Sequence, residues 1–413
     1  MLQYRDDVLH MDGVSLLEIA EEVGTPTYVY SFDTLTRRVR TYRQAFPHAL
    51  IAYAYKANAT PAILAHLAHL DCGADVVSLG ELQAALAAGV PPDKIVVNGN
   101  AKSDALLLLA ARAGVRALNL DAREEIPRAA WAAQTVGRPL TVNVRINPGI
   151  DAQTHTHLRV GAPGSHFGIP PEDVLPAIRD IMRTPHLRFR GLHVHLGSQL
   201  LHPEDVEAIA RVVAHWVRTV RQAGYPVEEV DMGGGLGIAY TGEPALTPDR
   251  VARLWAPHMR DLDVRWVLEP GRWLIAPVGV LLLRVVQVKR AWGRTFVAVD
   301  GGMNVLLRPA LYGARHRIWP VVRGEAVEPV DVVGPNCESA DVLGRDYLLP
   351  APRSGDVLAV LDVGAYGYSM ANRYNLRDLP AQVGVWGDTF ALLSVNWLPR
   401  QLPKGLDRSG GLA

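Results

Sequence analysis

The sequence predicts an α/β protein: a (β/α)8 barrel of the TIM type accompanied by a second, β-rich domain. Three observations carry this. From about residue 49 to 275, short β-branched runs alternate with amphipathic stretches at helical spacing. The runs number eight over roughly 230 residues, the size of a closed barrel with a helix after each strand. Beyond about residue 278 the long helices stop, and strands follow one another across glycine turns.

The predicted barrel strands are Leu50–Lys56, Ala74–Ser78, Lys94–Asn98, Arg116–Leu120, Leu140–Ile146, Phe189–Leu196, Val227–Met232 and Arg265–Glu269. Candidate helices between them include Gly80–Gly89, Ser103–Ala113, Pro171–Met182, Glu204–Ala223 and Pro248–Leu262, several opened by Ser, Thr or Pro, which suit the first turn of a helix. The later strands are Val280–Val288, Thr295–Val299, Val327–Val333 and Val357–Val363. Residues 1–30 are also strand-like and can join the second domain. The expected division is therefore residues 30–277 for the barrel, and 1–29 with 278–413 for a β domain of Greek-key character.

Lys plus Arg equal Asp plus Glu at 42 each, so no global field draws in nucleic acid or an anionic membrane. Any anion site must be local. Two cysteines, Cys72 and Cys337, make no disulfide framework, and no signal-like segment opens the chain, so a cytoplasmic setting is expected. The apolar runs at 104–111 and 273–286 are too short or too interrupted to span a bilayer.

The unusual residues cluster where barrel strands end: YKAN, DVVS, HVHLGSQ, DMGGGLG and EPGR. Ligand-binding groups of this barrel belong there. Lys56 ends the first strand; it is either a surface lysine or, in a low-dielectric mouth, a Schiff-base nucleophile. Gly233, Gly234 and Gly235 after strand seven suit either a tight turn or a backbone cradle for phosphate. Strand eight ends in Glu269-Pro270-Gly271-Arg272, and phosphate sites after strands seven and eight recur in this barrel. Amine, carboxylate and phosphate cradle in one mouth suggest pyridoxal phosphate, with Glu269 facing the pyridine nitrogen. The alternative for Glu269 is an ion pair with Arg272 or Arg145. His193 and His195 point to one side of strand six near Ser198; either can stack on a cofactor ring or simply pack. No carboxylate or third ligand accompanies this His-x-His in a recognisable arrangement, so no metal is expected.

Together these residues resemble the fold-type III pyridoxal-phosphate decarboxylases, and among them most closely the diaminopimelate decarboxylases, over about residues 25–395. The resemblance implies that Lys56 of the Y-x-Y-K-A-N motif holds the cofactor and that Asp75 of D-x-x-S-x-G-E-L lies near the Schiff base. It selects His195, before Leu-Gly-Ser, as the ring-stacking histidine and adds Ser198 to the cofactor site. It assigns Gly233, Gly234, Gly235, Gly271 and Arg272 to the phosphate and substrate side, and Glu269 to the ring nitrogen. Gly334–Asp341 resembles the motif that enters the site from the partner subunit, which implies a homodimer with shared active sites. Cys337 is then the proton-handling residue, Glu338 the recogniser of the substrate's amino group, and Tyr366 a phosphate contact that also reaches substrate.

The implied reaction is decarboxylation of meso-2,6-diaminopimelate to L-lysine and carbon dioxide. A substrate with a distal carboxylate calls for guanidinium groups, and Arg272 with Arg308 and Tyr312 of R-P-x-L-Y meets that need. The chain departs from the family pattern at Arg159-Val160-Gly161, at His166 where Lys is usual, and at Ala340 where Gly is commoner. These departures bear on substrate identity. Ornithine, lysine or another polyamine or siderophore precursor are the rival substrates, amino-acid racemisation is a rival reaction, and a non-catalytic partner-binding homologue is the rival class.

Overall fold

A computed structural model of the chain describes residues 2–149, 165–324 and 326–394. Eight parallel strands close a barrel in sequence order: Leu50–Ala54, Gly73–Val76, Ile95–Val97, Ala117–Leu120, Leu140–Ile146, Leu187–Val194, Glu229–Asp231 and Arg265–Leu268. Closure is made by Val267 and Leu268 of the last strand pairing with Leu50 and Ile51 of the first. Every predicted barrel strand is present: Leu140–Ile146 has the predicted bounds, the second and sixth strands start earlier and stop sooner, and the others are trimmed. Ile95, Val96 and Val97 are fully buried on both faces, the signature of a parallel strand covered by helices outside and packed side chains inside.

The helices start where the sequence offers caps. Ser78, Ser103 and Thr247 accept N–H bonds from Glu81, Leu106 and Arg250, opening the helices Leu79–Ala87, Asp104–Ala113 and Pro248–Met259. Proline occupies the first turn of Pro171–Arg183 and Pro203–Gln222. Glu81 also reaches back to the N–H of Val77 at 2.7 Å. Ser78 and Glu81 of the D-x-x-S-x-G-E-L segment therefore close the helix entrance, Ser78 as the cap and Glu81 by holding the N–H just before it, while Asp75 faces the barrel mouth.

The remaining strands form a nine-stranded mixed sheet and a separate three-stranded meander. Gly279–Ala291 is the hub of the large sheet, pairing antiparallel with Thr27–Ser31, Arg294–Val299 and Val357–Val360. Thr27–Ser31 also pairs parallel with Ala381–Trp386, so chain preceding and following the barrel shares one sheet. The meander, Leu2–Arg5, Val8–Met11 and Val14–Ser15, docks through Leu9 N–H on the carbonyl of Val321 at 2.7 Å. Leu9, Met11 and Val14 there share an apolar core with Val280, Leu282, Val357 and Ala359.

Four strands of this sheet lack a clear sequence signal. Ile318–Pro320 is short, Val342–Pro350 is interrupted by Gly344, Arg345 and Asp346, and Thr389–Ser394 is a largely exposed edge. Ala381–Trp386 is buried, but too short to stand out without its neighbours. Thr154–Gly164, which includes Thr156-His157 and Arg159-Val160-Gly161, lies outside the described residues.

Candidate active site

Lys56 does not continue the first barrel strand. It sits in a 3-10 turn, Tyr55–Ala57, that lifts its side chain over the C-terminal mouth. Its Nζ donates to Asp75 Oδ2 at 2.8 Å; the lysine side chain is 38 % exposed and the aspartate 0 %, so the amine faces the mouth while its partner is sealed below. Burial works against the ammonium, but Asp75 and Glu269 outweigh it and raise the lysine pKa. Burial and the charge of Glu269 raise the carboxyl of Asp75. An acceptor for the lysine proton is thus built in.

Glu269 follows strand eight and is 3 % exposed. It pairs with neither Arg272 nor Arg145: the latter bridges to Asp121 at 3.0 Å. Instead Glu269 accepts from Asn98, which also donates to Asp75 at 2.8 Å. Below it runs a ladder of amides from neighbouring strands, Asn143 to Asn119 at 2.9 Å and Asn119 to Asn98 at 2.9 Å, with Asn119 also reaching Asp231 at 3.1 Å.

The sequence reading placed no carboxylate beside the His-x-His pair, and the fold corrects that. Strands six, seven and eight aim His193, Asp231 and Glu269 into the barrel, with one polar atom of each within 4.8 Å of the others. The two carboxylates already accept from Asn98, Asn119 and the Gly233 N–H, while neither ring nitrogen of His193 has a hydrogen-bond partner among the described residues. Burial pushes both acids up, but His193 and Lys56 hold Glu269 below the usual carboxylate range. Burial and the Glu269 charge drive Asp231 well above it. Of the two acids, Glu269 is the one whose ionised form the surroundings favour.

His195 leaves strand six one residue past its ladder and lines the mouth, whereas His193 lies beneath, 3.4 Å from Glu269. The Gly234 N–H donates to His195 Nδ1 at 3.1 Å, which puts the ring hydrogen on Nε2. Burial, with Lys56 and Arg145 nearby, pushes this histidine down to about 3.

The glycine run is refined in the same way. Gly233 N–H is held by Asp231 at 3.0 Å and Gly234 N–H by His195, so only Gly235 of the three faces the cavity. Their lack of side chains is a packing requirement. A Cβ on Gly234 would fall 2.2 Å from the carbonyl of Glu269, and one on Gly235, whose φ is +103°, 2.3 Å from that of Gly197.

On the other wall, Arg272 donates to Ser198 Oγ and Tyr240 Oη, both at 2.9 Å. Arg308 lies with its guanidinium carbon 4.5 Å from the centre of the Tyr240 ring and donates to His316 Nε2 at 2.7 Å. The two arginines are 6 % and 5 % exposed, and among the described residues no carboxylate pairs with either. The Nε of each is buried without a partner. Tyr366 closes this side in left-handed backbone, φ +56°, held by its N–H on Ala57 O at 2.8 Å. Such a conformation costs on the order of 1–3 kcal/mol for a non-glycine residue, and here it brings the ring to within 5.0 Å of the Arg272 guanidinium.

One cavity of about 650 Å³, open mouth included, gathers Lys56, His195, Ser198, Gly235, Glu269, Gly271, Arg272, Arg308, Tyr312 and Tyr366. A larger, mostly apolar cleft lined by Phe46, Met259 and Trp266 sits at the opposite end of the barrel, without this chemistry. Asp75, Gly233 and Gly234 support the mouth from beneath. Cys337 and Glu338 do not line the cavity of their own chain; they are exposed on the Gly334–Asp341 segment, pinned where Asp341 accepts from Asn336 N–H at 2.7 Å. His166 packs on Phe167 at 4.1 Å, and Phe167 in turn lies under Arg145 at 4.6 Å. Asn98, Asn119, Asn143, Asp231, Tyr240 and His316 escaped the sequence reading. For the asparagines a signal existed: an amide within or just past an apolar barrel strand must find partners.

The mouth fits pyridoxal phosphate on its own geometry. It offers an amine with a proton acceptor, a sealed carboxylate held anionic, a flat neutral imidazole, and buried guanidinium N–H groups lacking an anion. His195 and His316 are both pushed down to about 3 from 6.5, so the unfolded chain takes up protons on them before the native one does. Stability associated with each is present above pH 6.5 and is lost as pH falls toward 3. Urea unfolding of cofactor-free protein should show the native chain losing up to about 2 kcal/mol more than His316→Gln between pH 6.5 and 5. Equal losses would contradict a neutral His316.

A family model described as the pyridoxal-binding domain of pyridoxal-dependent decarboxylases matches residues 32–276. The chain is 38 % identical to a diaminopimelate decarboxylase of Aquifex aeolicus, covering 95 % of this chain and 94 % of that one. It is 39 % identical to one of Archaeoglobus fulgidus, covering 95 % of each. Among solved structures it resembles diaminopimelate decarboxylase of Methanocaldococcus jannaschii in complex with L-lysine, with TM-score 0.92 and 36 % identity over 96 % of this chain and 95 % of the other. The Helicobacter pylori enzyme, also complexed with L-lysine, gives TM-score 0.89 and 36 % identity over 92 % and 96 %. Near full-length likeness of sequence and fold, together with the lysine, carboxylates and arginines gathered in one barrel mouth, shows that the chain belongs to the diaminopimelate decarboxylase family of pyridoxal-dependent decarboxylases.

Proposed function

We propose that this protein is a carboxy-lyase that uses pyridoxal 5'-phosphate to convert meso-2,6-diaminopimelate into L-lysine and carbon dioxide. One observation carries the substrate reading: Arg272 and Arg308 are two buried guanidinium groups on one wall with no carboxylate partner among the described residues. Unneutralised buried charge is costly, and a phosphate with a substrate carboxylate supplies what the wall lacks. A diamine-forming enzyme has no use for the second cation.

The cofactor, when bound, supplies the electron sink for the bond to the departing carboxylate. The chain's residues do the rest. Lys56 would hold the cofactor, with Asp75 as the acceptor for its proton. Glu269 would set a negative charge against the ring nitrogen. His195, neutral, would offer the flat face of its imidazole to the ring. Ser198, Gly235, Gly271, Arg272 and Tyr366 serve the phosphate, and Gly233 and Gly234 hold the loop that presents Gly235. Arg308, Tyr312, Arg272 and Tyr366 receive the distal end of the substrate. The C–C bond to the scissile carboxylate is replaced by C–H, and Cys337 of the partner subunit delivers the proton while Glu338 of the partner subunit binds the substrate's distal amine.

That last assignment makes the enzyme a homodimer with shared sites, supported by the exposure of Cys337 and Glu338 outside their own cavity. Two free cysteines support a reducing, cytoplasmic setting. Among the described residues no helix is long and apolar enough to cross a membrane. Fractionation of the source cells checks the location, and recovery in the envelope fraction would count against it.

The substrate test compares carbon dioxide release from meso-diaminopimelate, L-lysine and ornithine. We expect meso-diaminopimelate to be favoured by at least about a hundredfold in kcat/KM, the scale of one well-placed buried charge contact. Preference for either diamine precursor would overturn the substrate while leaving the cofactor chemistry standing, and racemisation without carbon dioxide would overturn both.

A further inference from the structure

We propose that His316 is a positioning residue for substrate selection, locking the Arg308 guanidinium in the orientation that receives the distal carboxylate. The inference rests on the substrate reading above and adds a residue to it.

Arg308 has many rotamers and, among the described residues, no ion-pair partner to choose among them. Arginine carries about 2 kcal/mol of side-chain entropy, so an unheld guanidinium would meet its ligand at reduced affinity. It opens the short helix Arg308–Tyr312, and it donates a hydrogen bond to His316 Nε2 at 2.7 Å. The other ring nitrogen, Nδ1, lies 2.9 Å from the carbonyl oxygen of Leu361. A carbonyl only accepts, so Nδ1 carries the hydrogen and Nε2 presents a lone pair. That lone pair is what a guanidinium needs. The chain Leu361 O, His316, Arg308 thus has one consistent direction.

The surroundings enforce it. His316 is 1 % exposed, and a proton on Nε2 would face Arg308 donor to donor and charge to charge. Burial, with Arg308 and Arg272 close by, pushes its pKa down to about 3. Tyr240 completes the clamp: its ring meets His316 edge-on at 5.0 Å, lies under Arg308, and its hydroxyl takes the NH1 hydrogen of Arg272. With NH1 held by His316, the guanidinium is fixed in one orientation where Arg308 lines the cavity. Leu361 directly follows the strand Val357–Val360 on the way to Tyr366, so the same link ties the Arg308 helix to the other side of the cavity.

The test uses holoenzyme carrying His316→Phe, which keeps a ring but loses the acceptor, and His316→Gln, which keeps an acceptor and a donor. Arg308→Gln is the reference. Readouts are KM and kcat for meso-diaminopimelate, and cofactor affinity by absorbance titration. His316→Phe is expected to raise KM about tenfold while kcat changes less than about threefold; His316→Gln should stay within about threefold on both. Cofactor affinity should not move.

An unchanged KM in His316→Phe, with Arg308→Gln impaired, overturns the positioning role and leaves the substrate reading intact. Unchanged KM in Arg308→Gln overturns the substrate reading itself. Equal impairment of the Phe and Gln variants, or a loss of cofactor affinity in both, means His316 serves packing alone and also overturns the proposal. Should His316→Phe not fold, His316→Ala with added imidazole takes its place: recovery of KM supports the lock, and no recovery counts against it.

Discussion

Lys56→Ala is expected to lose the visible absorbance of bound cofactor and to lower turnover by on the order of 10³-fold or more, roughly 4 kcal/mol of transition-state stabilisation. The reason lies in the mouth. Lys56 is the amine that Asp75 and Glu269 jointly hold, and the cavity lining contains no second lysine to replace it. Asp75, already raised by burial, can take a proton when the ammonium is gone, so the fold should survive and the loss be chemical. Retention of both the absorbance band and turnover would sink the assignment. The same variant tests the shared site. Mixed and re-equilibrated with Cys337→Ala, it should recover up to about a quarter of native activity, because half the dimers are mixed and each has one site with both native residues. No recovery, with exchange of subunits demonstrated, would place Cys337 outside the partner's site.

Arg308→Gln is expected to reduce kcat/KM for meso-diaminopimelate by about 10²-fold, near 2.7 kcal/mol, with most of the change in KM. Its consequence for stability runs the other way. Arg308 is buried beside Arg272, and burial together with that neighbour lowers its pKa. Removing one of two buried like charges relieves repulsion, while glutamine retains a donor for His316 Nε2. Cofactor-free Arg308→Gln should therefore melt at or above the native temperature even as it fails on substrate. A wall built for ligand charge is strained until the ligand arrives. Melting clearly below the native protein would mean that Arg308 is part of the fold, and full activity on meso-diaminopimelate would remove it from the substrate site.

Much of this was legible without coordinates, for identifiable reasons. Parallel barrel strands are short, apolar on both faces and punctuated by capped helices, so the eight runs from Leu50 to Glu269 announced themselves. The polar residues at their ends had no place in such a core and marked the mouth. The edge strand Thr389–Ser394 and the interrupted Val342–Pro350 carried no such mark, because their stability comes from neighbours distant in sequence.

By itself, then, the sequence determined the barrel and its C-terminal mouth, since periodicity and strand-end chemistry are local properties; strand-end chemistry marked Lys56, Glu269 and Arg272, and resemblance to the family's motifs singled out His195 and Arg308. Only the tertiary structure decided how each of them is held and charged. It turned Gly233 and Gly234 into supports for Gly235, set Glu269 beside His193, Lys56 and the asparagine ladder, and placed His316 behind Arg308. Those are contacts between strands and loops far apart in the chain. Charge state and orientation depend on burial and on the nearest partner, and neither exists until the barrel closes.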